Sequence, residues 1–79
     1  MKNIPLGIYQ HYKGPLYEVI GFARHSETLE ELVVYKTLYG TYDTWVRPLS
    51  MWENLIEKDG VFVKRFEYIG KQDDLKSTQ

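Results

Sequence analysis

The chain has 79 residues, 43% hydrophobic and 15% aromatic, and ten Lys and Arg against eleven Asp and Glu give a formal net charge of -1. That length holds one hydrophobic core, and the balanced charge excludes the global pull toward phosphate backbones that marks many nucleic-acid binders. Cysteine is absent, which excludes disulfides, thiolate zinc sites and cysteine nucleophiles together and fits a reducing compartment.

Met1 to Pro5 lacks the apolar core of a signal peptide, and no apolar run nears the roughly 18 residues of a membrane span. A cytoplasmic location with no membrane partner is expected. Ile8 to Lys13 follows Gly7 and runs into Gly14-Pro15, a strong turn signal, so it predicts a first strand. Leu16 to Ala23 is rich in β-branched and aromatic residues and predicts the second strand of a hairpin, with Gly21 marking a bulge or sharp bend. Arg24 to Thr28 is a polar connection. Beyond it two readings compete. Thr28 with Glu31 fits a helix capping box, and Leu29, Leu32 and Val33 have helical spacing. Val33 to Tyr39, however, is dense in strand formers and ends at Gly40, which favours a strand from about Leu32 to Tyr39.

Thr44 to Arg47 predicts a short strand stopped by Pro48. Ser50 and Glu53 can cap a helical turn carrying Met51, Trp52 and Leu55, before Asp59-Gly60 turns the chain. Val61 to Ile69 predicts the last strand, with Phe62, Lys64, Phe66 and Tyr68 alternating onto one face. Residues 1–69 are therefore expected to form a single folded domain, and residues 70–79, with one apolar side chain, a disordered tail. Five short strands and one helical turn point to a mainly β fold, a small SH3-like barrel, because closure protects strand edges. The alternative is an α+β meander with one helix over Thr28 to Tyr35.

Three spaced stretches, Gly7-Ile8-Tyr9-Gln10-His11-Tyr12-Lys13-Gly14, Ala23-Arg24-His25-Ser26-Glu27-Thr28 and Trp45-Val46-Arg47-Pro48, resemble an uncharacterised bacterial family, DUF1653. The resemblance runs from about Gly7 to Gly70 and takes in Val34-Tyr35, Leu38-Tyr39-Gly40 and Phe66-Glu67-Tyr68. It implies one compact domain in a bacterial cytoplasm. It implies no activity and no residue roles.

The candidate ligand-binding residues are Tyr9, His11, Tyr12, Lys13, Arg24, His25, Glu27 and Arg47. Polar and aromatic groups concentrate there, on loops and strand ends where binding sites usually sit. Seven tyrosines exceed what a small core needs, and Tyr9, Tyr12 and Tyr39 are expected to be partly exposed, with Trp45 and Trp52 in the core. Arg47 presents a planar fork suited to a carboxylate or phosphate, or it pairs internally with Glu27 or Glu67. Ser26 and Thr28 are expected to satisfy backbone groups of the connection. His11, His25 and Glu27 could supply two nitrogens and a carboxylate to a metal, but their spacing matches no helical metal motif. No metal, cofactor or catalytic residue is assigned.

The resulting expectation is a binding or interaction module with an aromatic and polar groove. Its partner would be an anionic small molecule, a peptide or a protein. Two alternatives stay open, a nucleic-acid binder with a local basic patch of Lys13, Arg24 and Arg47, and an enzyme using a histidine for acid–base work.

Overall fold

The computed structural model describes residues 4–71. Its first unit is the expected hairpin. β1 (Gly7–His11) and β2 (Leu16–Arg24) run antiparallel, with Ile8 opposite Glu18 and Tyr9 opposite Tyr17. The turn between them is fixed by two backbone bonds, His11 N–H to Pro15 O at 2.9 Å and Gly14 N–H to His11 O at 2.7 Å.

β3 (Glu31–Thr37) pairs antiparallel with β2, and the register slips between Val19 and Gly21. That slip is the bulge expected at Gly21, and it bends the sheet. The helix considered over Thr28 to Tyr35 does not form. Val33, Val34 and Tyr35 pack better on a pleated surface, and Val33 and Tyr35 alternate into the core. β4 (Thr44–Pro48) pairs with the far side of β3, and β7 (Phe66–Gly70) with the free side of β1, giving the order β4-β3-β2-β1-β7.

Between them lie α1 (Leu49–Trp52) and a separate two-stranded ribbon of β5 (Leu55–Lys58) and β6 (Val61–Lys64). The described residues thus contain seven strands rather than five. The strand expected from Val61 to Ile69 is broken at Arg65. There the backbone turns to other partners: Arg65 N–H donates to Asn54 O at 3.3 Å, and Arg65 O accepts from Tyr12 N–H at 2.9 Å. The helical turn is shorter than the expected Ser50 to Leu55 and has no side-chain cap; Pro48 sits at its start, and Glu53 N–H closes it on Leu49 O at 3.2 Å. Leu49 and Trp52, three residues apart, face inward together.

The edges β4 and β7 are not paired with each other. The closed barrel is therefore not found among the described residues, although the mainly antiparallel β architecture is. The sheet nevertheless curls enough for the Arg47 guanidinium of β4 to lie 5.5 Å from the ring centre of Phe66 on β7. Side chains, not ladder hydrogen bonds, fill the gap. Trp52 stacks on Phe66 at 3.7 Å between ring centres and also meets Tyr35 at 5.0 Å and Tyr9 at 5.5 Å. One indole thereby ties β7, β3 and β1 together, in a core shared with Val19, Val33 and Leu49.

Gly70 ends β7 and Lys71 follows it. The rest of the expected disordered tail, residues 72–79, lies outside the described residues. No helix among the described residues is long and apolar enough to cross a membrane.

Candidate functional site

The concave face of the curled sheet carries most of the aromatic side chains. In an antiparallel pair, opposed residues point to the same face, so Tyr9 brings Tyr17 with it, Val33 brings Arg47, and Tyr35 brings Trp45. His11 and Tyr9 alternate along β1, and His11 opposes Phe66 of β7. The rings meet mainly edge to face: His11 with Phe66 at 5.0 Å, Tyr17 with Phe66 at 5.6 Å, Tyr17 with Tyr35 at 5.5 Å and Tyr17 with Tyr39 at 5.7 Å. Such contacts add to burial because the positive edge of one ring meets the negative face of the next.

Arg47 lies across this layer. Its Nε is buried and has no hydrogen-bond partner among the described residues. Neither Glu27 nor Glu67 pairs with it. The charge instead rests on the Phe66 ring, an attraction weaker than a carboxylate would supply. Its effect reaches His11, whose pKa is lowered first by burial and then by the charges of Arg65, Arg47 and Lys13. His11 Nδ1 accepts the Lys13 backbone N–H at 3.2 Å, so the neutral ring carries its proton on Nε2. Lys13 extends back over the Tyr12 ring, its Nζ 5.7 Å from the centre. Arg65 is held by Asn54, with Nε donating to Oδ1 at 2.9 Å.

Of the expected residues, the structure brings Tyr9, His11 and Arg47 onto this face; Tyr12 and Lys13 follow in the turn after β1, with the Tyr12 ring 4.6 Å from that of His11. Arg24, His25 and Glu27 sit at the end of β2 away from His11, roughly 25 Å along the strand from Leu16, with Arg24 two residues beyond Phe22, which shares a cross-strand row with Val33 and Arg47. There they order the turn into β3. His25 Nδ1 accepts from Glu27 N–H at 3.1 Å and Thr28 N–H at 3.3 Å. Arg24 donates to Leu29 O at 2.8 Å, and Thr28 Oγ1 accepts from Glu30 N–H at 3.2 Å. The metal set of His11, His25 and Glu27 does not converge, and no group of three potential metal ligands occurs among the described residues.

Two expectations about aromatic exposure are corrected. Tyr9 is 4% exposed, under Trp52 and Tyr68, with its hydroxyl donating to Pro5 O at 2.7 Å. Burial, with the nearby Tyr68 and Glu53, pushes its pKa up to about 12. Trp45, expected in the core, is 54% exposed because β4 is an edge strand. Tyr12 and Tyr39 are partly exposed and Trp52 is buried, as expected. Tyr17 and Phe66 belong to the face but were not among the expected site residues, nor was Arg65, whose charge acts on His11.

Residues 7–68 match the model of a family described as a protein of unknown function, DUF1653. The chain belongs to this family. It is also similar to a crystal structure of a DUF1653 protein from Bordetella bronchiseptica, at 35% identity and a TM-score of 0.79, covering 87% of this chain and 91% of that one. No curated protein matches it. Within the DUF1653 fold, two of the stretches that carry the resemblance, Gly7 to Gly14 and Trp45 to Pro48, border the aromatic face. The third, Ala23 to Thr28, builds the turn at the far end of β2.

Proposed function

We propose that this DUF1653 domain is a binding module whose concave aromatic face holds an anionic group, the carboxylate of a peptide or small molecule, on Arg47. The observation that supports this is the Arg47 guanidinium, lying on the Phe66 ring with its Nε buried and unpartnered. A buried donor without a partner costs about 1–3 kcal/mol, more when charged. Movement of the guanidinium off the Phe66 ring onto a carboxylate would regain that loss. His11 stays neutral near pH 7 and lends an Nε2–H donor, and Lys13 and Arg65 add positive potential at the rim.

The Arg47 contact with Phe66 between the two edge strands supports an SH3-like barrel as the architecture that shapes the face. The lack of cysteine supports work in a reducing cytoplasm. A second reading has an observation of its own. Lys58 and Lys64 line a concavity of about 300 Å³ beside His11 and Tyr12, which favours a phosphate backbone instead.

Amide and arginine Nε–H chemical shifts, followed while an acidic peptide or a short single-stranded RNA is added, test both. The carboxylate reading expects the acidic peptide to move Arg47 Nε–H, His11 and Phe66, and Arg47→Gln to weaken it at least tenfold. Response to RNA alone, with steep salt dependence and loss on neutralising Lys58 and Lys64, would replace it with the nucleic-acid reading.

A further inference from the structure

A cavity of about 430 Å³ opens at the other end of the same face, lined by Tyr17, Tyr35, Tyr39, Trp45 and Asp43. Three of its walls are already set: Tyr17 stands edge to face against both Tyr35 and Tyr39. The fourth, Trp45, is paired across strands with Tyr35, yet among the described residues its indole meets no other ring and is 54% exposed. The space between Trp45 and the tyrosines is what the cavity consists of.

The polar groups around it are occupied with one another. The hydroxyls of Tyr17 and Tyr39 share a hydrogen bond of 3.0 Å, Thr41 Oγ1 donates to Asp43 Oδ2 at 2.6 Å, and Thr37 Oγ1 donates to Tyr39 O at 3.4 Å. A ligand entering here therefore finds aromatic faces, with the Asp43 carboxylate as the main remaining acceptor. Aromatic faces carry negative potential and attract cations. A plain ammonium would surrender strong hydrogen bonds to water on entry, whereas an alkylated ammonium has few or none to lose. The loop carrying Tyr39 is held in a tight path, with Gly40 and Tyr42 at positive φ of 61° and 57° and Tyr42 N–H bonded to Tyr39 O at 3.1 Å. The wall is thus largely formed before a ligand arrives.

We propose that this cavity is an aromatic cage for an alkylated ammonium head group, either a methylated lysine side chain of a peptide or a free quaternary amine. Trp45 and Tyr39 supply the faces and Asp43 the counter-charge. The cage goes beyond the Arg47 reading and does not depend on it. Asp43 and Arg47 are four residues apart, up to roughly 13 Å along an extended chain, so one ligand bearing both charges could span the two.

The test is an NMR titration of the whole chain with four probes: a short peptide carrying trimethyl-lysine, the same peptide with plain lysine, the same peptide with the uncharged tert-butyl isostere, and choline. Trimethyl-lysine or choline should give saturable shifts at the Trp45 indole N–H, Tyr39 and Asp43. The isostere and plain lysine should bind about tenfold more weakly or worse. Tight binding of the peptide with weak choline binding assigns a peptide source, and the reverse assigns a free amine. Trp45→Ala should abolish binding and Asp43→Asn weaken it severalfold. Trp45→Phe should retain part of it, and all three variants should keep the backbone spectrum of the fold. Arg47→Gln should leave trimethyl-lysine binding intact, which separates failure of the cage from failure of the anion site. Equal affinity for the neutral isostere, indifference to Trp45→Ala, or no saturable shift from either charged probe overturns the cage.

Discussion

A methyl group added at Gly7 would lie 2.7 Å from the carbonyl oxygen of Gly70, and the backbone there holds φ at 133°. Both the close approach and the dihedral demand glycine. Gly7→Ala is expected to cost about 1–3 kcal/mol or more through loss of the β1 and β7 pairing, read as a lower denaturant midpoint. His11 makes a different single-residue statement. Its folded pKa lies below the unfolded value of 6.5, so the unfolded chain binds more protons as the solution acidifies. The stabilising contribution is full above pH 6.5 and falls away as pH drops through the folded pKa. Melting temperatures between pH 7.5 and 5 should therefore decline more steeply for the natural chain than for His11→Asn, whose Oδ1 can still accept the Lys13 N–H.

Among the elements, the ribbon of β5 and β6 stands apart, paired only with itself and joined to the main sheet's hydrogen bonding through Arg65 and Asn54. A lone two-stranded ribbon is marginal in water, and Phe62, at 68% exposure, and Val61 gain little by burial. Its amides are expected to exchange by local opening, well before those of β1 and β2; equal protection in both would mean the ribbon opens only with the whole fold. These elements also mark how far sequence reasoning reaches. The first hairpin and the bend at Gly21 were legible because turn chemistry and a strand glycine are local signals. The break at Arg65 was not, since alternation runs unbroken through Val61 to Ile69 and the interruption comes from a tertiary bond to Asn54. The same limit applies to the site. His11, Tyr12, Lys13 and Arg47 stood out by type, but Tyr17 needed the register that opposes it to Tyr9. Arg24, His25 and Glu27 looked equivalent until the length of β2 separated them from His11 and the turn into β3 claimed their hydrogen bonds. Nothing in residue type distinguishes Trp45 from Trp52; only the edge position of β4 does.

At the scale of the whole molecule, the curled sheet depends on what fills it. Trp52, 2% exposed, is packed against rings from three strands. Trp52→Ala is expected to cost roughly 3–5 kcal/mol, a large share of the 5–15 kcal/mol typical of a folded domain. Trp45→Ala should change stability by well under half that amount, since its side chain is mostly in water; chemical denaturation of the two variants compares them directly. The contrast also makes the chain its own optical instrument. A hydrated indole emits to the red of one sealed among rings, so the emission divides into two channels. Quenching by iodide should silence the Trp45 channel alone, while the Trp52 channel should move only when the sheet uncurls. Occupancy of the face and integrity of the fold can thus be followed in one cuvette, without a label.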